Sequence, residues 1–472
     1  MTDKAKTKEV LGKAMFGLAA VICIIAVIAI FAFLIIKSVP TFKKLGILDF
    51  VFGDNWSPDR TDTFATENIS GSYGIFSMIV GTFAATVGAL LFGGVLGYFT
   101  AVFIAFFCPK RLKKIFSSVI NLLAGIPSVV YGFFGIVFLL PLLSNIAPNN
   151  GSGLLATSII LGIMILPTVV SLSKTSIEAV PQQYYEGAVA LGSNHSEAAF
   201  KVVVPAAKSG IFASLVLGVG RALGETMAVV MVAGNAPTYP NGLFNSFRVM
   251  TANIVMEMGY AGELQEGALI ATGVVLLIFI LIVNMIFNTI SNKSVKKIVS
   301  VTSRRGSRKR MPLFGGVKEK IGAFLYTIKI ASVGKWAAIV SGVLSGIALI
   351  LIMGFVFVNG LPELITNPHL IFGKYEFGSE NITILPSIVA TLMAVVLSLV
   401  IAVPIGIMTA VFLNEYTKKN NIFVRVIRTA IDILSGVPSI VYGLFGMITF
   451  VKVFGGSSSI IAGSLTVSIM LL

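Results

Sequence analysis

Arg221 and Glu225, in the string GRALGETMAVVMVAGN, are ionisable residues inside an otherwise apolar stretch. Four residues apart in a predicted helix, they project from one face and can pair. Ionised groups at membrane depth are expensive and by default mark a functional path. A structural ion pair at interfacial depth is the alternative, since Lys208 lies thirteen residues before Arg221. An arginine beside a path offers five donors to a tetrahedral oxyanion. A nearby carboxylate keeps it from holding that anion too tightly for release. Gly220 and Gly224 form a small-xxx-small pair suited to close helix contact, and with no preceding strand they are not a nucleotide-binding loop.

Hydroxyls enter apolar surroundings twice, in GIPSVVYG (Gly125–Gly132) and GVPSIVYG (Gly436–Gly443). Pro127 and Pro438 each remove a backbone donor inside an expected helix and free a carbonyl. Ser128, Tyr131, Ser439 and Tyr442 can satisfy such groups or face a solute. Packing of a kinked helix would explain one such string; its close duplication favours an element that lines a pathway.

The stretch Pro181–Pro205, PQQYYEGAVALGSNHSEAAFKVVVP, is polar between two very apolar segments. A short helix, a glycine turn and a second short helix between two spans make a rigid elbow that can enter a groove on a soluble partner. A solvated connecting loop is the plainer alternative. The spacing resembles the EAA loop of ATP-binding-cassette importer permeases, which runs Glu-Ala-Ala, Gly, then Ile-x-Leu-Pro. Here Glu186-Gly187-Ala188 is followed after three residues by Gly192 and after nine more by Val202, Val204 and Pro205.

These residues need a scaffold, and composition defines it. The chain is 56% hydrophobic and 12% charged, with a mean hydropathy of +0.95. That is too much apolar surface for a soluble domain. Long uncharged runs at 14–36, 68–109, 115–173, 267–292, 336–362 and 381–414 predict an all-α polytopic membrane protein. The first run has no small-residue cleavage site and is followed by Lys37, so it reads as an uncleaved helix. The net charge of +15 comes from clusters that recur at every second turn. Lys4–Lys13, Lys110–Lys114 and Lys293–Arg310 place those turns and the N-terminus in the cytoplasm. Anionic lipid headgroups, and not nucleic acid, are the polyanion this pattern implies. Expected helices run at about 14–36, 73–107, 117–141, 153–173, 209–233 and 267–290, then 337–358, 383–413, 430–450 and 459–472. Residues 37–71 and 234–265 become external loops, and the elbow faces the cytoplasm.

Cys23 and Cys108 fall in different spans, so neither a disulfide framework nor a thiolate metal site is implied. His195 and His369 read as solvated loop residues. No Gly-x-x-x-x-Gly-Lys-Ser/Thr loop and no acid–base or nucleophile constellation is present. Energy must come from a partner or a gradient.

The second half repeats the first. Ile120–Gly135 aligns without gaps to Ile431–Gly446 with ten identities in sixteen. Thr100-Ala101-Val102-Phe103 returns as Thr409-Ala410-Val411-Phe412, and Ala156–Leu166 as Ala462–Leu472. Both copies face the same way, a parallel repeat and not the inverted pair of many gradient-driven carriers. The organisation expected is a six-helix domain over 1–300, a basic cytoplasmic linker over 301–336, and an incomplete second copy over 337–472. Nothing in the second copy corresponds to residues 167–290. A fragment, a degenerate half, or a further permease chain supplying the rest would each account for that.

Together these strings resemble the phosphate-specific ABC importers of bacteria, the Pst system. Residues 1–300 resemble its PstC-type permease in GIPSVVYGFFG, the EAA-type loop and GRALGETMAV. Residues 311–472 resemble the front of its PstA-type permease in LPSIVATL and ILSGVPSIVYGLFG. The resemblance implies a type I ABC importer permease fold of about 6 + 4 helices in the bacterial cytoplasmic membrane, with the halves forming one anion path. It implies two cytoplasmic ATPase subunits that hold ATP and Mg and grip the EAA-type loops, and an extracytoplasmic phosphate-binding protein. It also implies that Arg221 and Glu225 serve anion passage. Sulfate or molybdate in place of phosphate, or a non-transporting scaffold or sensor, are the competing expectations.

Overall fold

The computed structural model describes residues 3–65, 67–147, 149–304, 317–373, 383–417, 424, 437–451 and 458–472. Pro148, residues 305–316 of the basic linker, Tyr375, the turn with Lys418, Lys419, Arg425 and Arg428, Asp432 and Gly436 lie outside them.

The uncharged runs become long helices. Helix α1 (Asp3–Leu45) leads to α2 (Ile47–Phe52) and to strand β1 (Trp56–Ser57), which pairs antiparallel with β2 (Ser72–Tyr73). Span α3 (Phe76–Phe107) contains two π-helical turns, Leu90–Gly94 and Phe103–Phe107. Next come α4 (Lys110–Ala124), α5 (Ser128–Ser144) and α6 (Leu154–Glu178). The elbow supplies α7 (Gln182–Ala190) and α8 (His195–Ala206), followed by α9 (Lys208–Gly224) and α10 (Met227–Val232). The second large loop folds a helix that the apolar-run reading overlooked, α11 (Met250–Glu257). Then follow α12 (Glu263–Arg304), α13 (Val317–Thr366), α14 (His369–Phe372), α15 (Leu385–Tyr416), α16 (Ser439–Val451) and α17 (Ile460–Leu471).

Among the described residues six helices are long and apolar enough to cross a membrane, or eight when the bent pairs α4/α5 and α8/α9 each count as one span. The chain is a helical multi-pass membrane protein, and among the described residues a two-residue ladder, β1 with β2, is added in the loop after α2. The basic linker is more regular than expected, because α12 and α13 continue into it from both sides. Residues such as Lys, Glu and Ala favour helix without needing an apolar face.

Two expected helices are broken. The one expected at 117–141 turns by 101° between α4 and α5. Pro127 caps α5 with φ −59°, ψ 143° and so stands at a break, not inside a helix. The residue before a proline is pushed out of the helical region, and the ring has no N–H to continue the ladder. Pro438 caps α16 with nearly the same angles, φ −61°, ψ 144°. The helix expected at 209–233 ends at Gly224, and Glu225 is extended at φ −72°, ψ 136°.

By packing the chain divides into two compact units. One comprises Met1–Ile79, Met250–Leu281 and Val356–Leu472, the other Val80–Val249 and Ile282–Phe355. In the second, α6 is the axis, 67% buried over its most apolar window, more than any other span. Its neighbours approach through small residues. A Cβ built on Gly93 of α3 would collide with the Gly162 carbonyl, and one on Gly88 with the Ser158 hydroxyl. Such contacts suit a bilayer, where close packing and not water drives helix association. Farther along α6, Ser173 and Ser214 of α9 share a 2.7 Å hydrogen bond.

In the first unit α1 packs on α15, with the Cys23 thiol 3.3 Å from the Thr409 hydroxyl. Ser398 of α15 and Ser464 and Ser468 of α17 exchange hydroxyl-to-carbonyl bonds. Ile30, Leu34, Ile270, Leu277, Tyr442 and Phe445 form its apolar core.

Candidate functional site

Of the residues expected to do chemistry, Arg221 and Tyr131 lie in the unit that has α6 as its axis. Arg221 lies in the last turn of α9, where a cation favours the negative helix end. Its Nη1 donates to the Thr168 hydroxyl of α6 at 3.2 Å. Thr168 was not a sequence candidate; its only signal is a hydroxyl directly after Pro167 in an apolar helix. Tyr131 of α5 is fully buried and close enough to feel the Arg221 charge.

Glu225 follows α9 directly with φ −72° and ψ 136°, so the chain turns away only after it. Its Oε1 accepts the Ala228 N–H at 3.2 Å, at the start of α10. The break thus puts the cation at one helix's C-terminus and the carboxylate at the next one's N-terminus, each on the end its charge favours.

At the Gly125–Pro127 break the Leu123 carbonyl accepts from Ile126 N at 3.1 Å and, as a second donor, from the Tyr131 hydroxyl at 2.9 Å. The α5 side that leaves this break meets α10 closely, Gly132 against Met231 and Ala228. Ser128, half-buried, begins α5. Tyr442 and Ser439 belong to the other unit, where Tyr442 is buried in the apolar core and Ser439 is exposed at the start of α16.

The elbow has the helix–glycine–helix form expected. Helix α7 ends at Ala190, and Gly192 adopts φ +90°, a conformation that side chains with a Cβ rarely take. Asn194 then opens α8 with a capping box. Its Oδ1 accepts from Glu197 N at 2.8 Å, and Glu197 Oε2 accepts from Asn194 N at 3.2 Å. The Lys201 ammonium, with that Asn194 N–H, holds the Glu197 carboxyl below its ordinary value. At the tip Leu191 is 91% exposed, and Tyr184 and Val189 stand out beside it. Glu186 and Gly187 are exposed, Ala188 turns inward, and Pro205 is exposed on α8.

At the elbow end of α6, Lys113 of α4 pairs with Glu178 at 2.8 Å, and Lys174 donates to Ser117 at 2.9 Å. The two contacts step along α4 and α6 in opposite directions, strapping them antiparallel. His195 is exposed, as expected, and its two ring nitrogens are also engaged, with Tyr185 and with the Phe106 carbonyl.

In the first unit a polar layer joins segments distant in the chain. Glu257 of α11 accepts from Trp56 Nε1 and from Gln265 Nε2, each at 2.8 Å. Asp62 is buried and accepts from Ser70 N, Gly71 N and the Tyr73 hydroxyl at 3.0, 2.9 and 3.0 Å. Burial pushes its carboxyl up, but these three donors outweigh burial and leave it below its ordinary value. Burial and the same carboxylate push the Tyr73 phenol up.

Residues 93–297, which contain this whole arrangement around α6, match the family described as binding-protein-dependent transport system inner membrane component. The probable ABC transporter permease protein YqgH of Bacillus subtilis is 35% identical over 290 residues, 60% of this chain and 91% of that one. The phosphate transport system permease protein PstC of Pasteurella multocida is 31% identical over 283 residues, 54% of this chain and 85% of that one. The phosphate transport system permease protein PstA homolog of Mycoplasma pneumoniae is 28% identical over 450 residues, 84% of this chain and 67% of that one.

Proposed function

Because this chain belongs to the ABC transporter permeases, the binding-protein-dependent inner membrane components, we propose that it forms the membrane path of an ATP-driven phosphate importer. Helices α6 and α9 are the mechanical heart of this reading. They are joined through the elbow and carry the Thr168–Arg221 contact in their interior. Thr168 lies about 15 Å of helix from Glu178, and Arg221 about 20 Å from Lys208. Whatever presses on Leu191 therefore moves the two helices that hold the arginine. That single arrangement carries the proposal.

In operation, cytoplasmic ATPase subunits cover the elbow around Glu186, Leu191 and Gly192, and bind ATP and Mg themselves. A phosphate-binding protein docks outside on the layer organised by Asp62 and Glu257. Phosphate passes Arg221, whose fork matches a tetrahedral oxyanion, with Ser128 and Tyr131 supplying hydroxyls along the way. Closure of the ATPase pair moves α6 and α9 as rigid bodies. The N-terminus and the basic linker are cytoplasmic.

We read the chain further as two permease domains, 1–300 and 337–472, joined by 301–336. Supporting this, π-helical turns follow the same Thr-Ala-Val string in both halves, at Phe103–Phe107 and Phe412–Tyr416. Both proline strings also open a helix with matching angles, and the Mycoplasma pneumoniae relative aligns across both halves.

The test is uptake of labelled phosphate into vesicles holding this chain, its ATPase and its binding protein. Uptake should require ATP, stop with vanadate, and resist competition by sulfate and molybdate. Equal uptake without ATP, or preference for another oxyanion, would overturn the corresponding part.

A further inference from the structure

Span α3 has no covalent link to the elbow: the chain enters the elbow from α6 and leaves it into α9. Yet one side chain joins the two. His195, at the start of α8, places Nε2 2.9 Å from the Phe106 carbonyl in the last turn of α3. A carbonyl oxygen only accepts, so Nε2 carries the hydrogen. Neutral imidazole then keeps a lone pair on Nδ1, which lies 2.8 Å from the Tyr185 hydroxyl of α7. The tyrosine donates to the histidine and the histidine donates to α3, so one polar chain crosses both elbow helices and ends on the span.

The site is built to keep that geometry. The turn at Phe103–Phe107 is π-helical, Cys108 N reaching back to Phe103 O at 2.8 Å. The last carbonyls of a helix have no donor within it, and Phe106 O takes its donor from outside. Around the imidazole, Phe107 stands edge-on at 5.3 Å, Tyr185 at 5.7 Å and Phe106 at 6.0 Å, while Phe107 stacks on Phe200 of α8 at 6.2 Å. Neighbouring Asn194 is fixed by its capping box, so the ring's backbone cannot drift. Span α3 in turn presses on α6 where Gly93 meets Gly162 and Gly97 meets Val169.

We propose that His195 is a positioning residue that carries the displacement of the elbow to α3, so that three helices and not two answer the ATPase. This rests on the functional reading above, in which the elbow receives that force. It requires Tyr185 as the partner that fixes the ring. His195→Ala removes the link; His195→Gln keeps an N–H donor at about the reach of Nε2; Tyr185→Phe removes only the hydroxyl.

Two measurements decide it. The first uses the chain alone in lipid nanodiscs, with Cys23 replaced by serine and spin labels at Leu191→Cys and at Cys108, the residue that caps the last turn of α3. The distance between labels should be narrowly distributed in the parent, broaden with His195→Ala, and narrow again with His195→Gln. An unchanged distribution in the alanine variant overturns the link. The second uses the chain with its ATPase and binding protein, counting phosphate transported per ATP hydrolysed. With His195→Ala the ATPase stays bound and the ratio falls at least about fivefold, the lower range of coupling between sites. Tyr185→Phe loses part of that, and His195→Gln recovers part. An unchanged ratio, or loss of ATPase binding in its place, overturns the positioning role. A parent complex that takes up no phosphate in any condition overturns the functional reading on which that role rests, while the label distances still report on the link by themselves.

Discussion

At Arg221 a guanidinium at a helix C-terminus meets one neutral hydroxyl, Thr168, at 3.2 Å, which leaves further donors of its fork to engage an anion. Arg221→Ala should abolish phosphate uptake with membrane insertion intact. Arg221→Lys, which keeps the charge without the fork, should lose about tenfold or more, as expected for a hydrogen bond to a charged group; normal uptake in either would remove this residue from the path. Tyr131 has a structural duty besides any toward a solute. Tyr131→Phe removes one of the donors to the Leu123 carbonyl, which keeps Ile126 N at 3.1 Å, and should cost about 0.5 to 1.5 kcal/mol, read as lowered thermal stability in detergent. Asp62 predicts a pH effect. Its folded value is below the ordinary 3.8, so the stability it contributes is complete above the unfolded value and lost as pH falls through the lowered folded one. Hydrogen-exchange protection at Ser70 and Gly71, relative to the intrinsic rate at each pH, should stay high at pH 5 to 7 and fall only below about pH 4. Asp62→Asn should remove that acid dependence. Arg221 was legible because a charge in an apolar run must be explained. Thr168, His195 and Tyr185 were not, because each becomes specific only through a partner 10 to 89 residues away in the chain.

Among the elements, the elbow was the most readable and the broken helices the least. Gly192 announced a turn, and it takes φ +90°. Gly192→Ala meets open space, so its cost is backbone strain of about 1 to 2 kcal/mol. It should weaken ATPase binding roughly fivefold to thirtyfold, measured by pull-down titration, while Gly187→Ala, also in open space but helical, should change little. Apolar runs measure length and not direction. The 101° turn at Gly125–Pro127 and the break after Gly224 were therefore read as one helix each, although the proline itself was visible. Helix α11 escaped for the converse reason. It lies in a polar-looking loop, and its buried Asn253 and Glu257 hide its inward face from a hydropathy count.

For the whole molecule, charge and hydropathy were enough to recognise a multi-pass helical protein, since bilayer-spanning backbone has few other solutions. Which helices pack together was not legible, because small residues at crossings such as Gly93 and Gly162 look like any other glycines until the partner is known. Everything proposed for transport turns on whether the elbow is where an ATPase grips. The decisive measurement is site-directed crosslinking from Leu191→Cys, in a chain freed of Cys23 and Cys108, to its ATPase in native membranes. We expect a crosslink that forms from the cytoplasmic side and changes in yield when ATP is trapped with vanadate. A cysteine there that is labelled only by reagents outside the cell, or that never meets the ATPase, would contradict it.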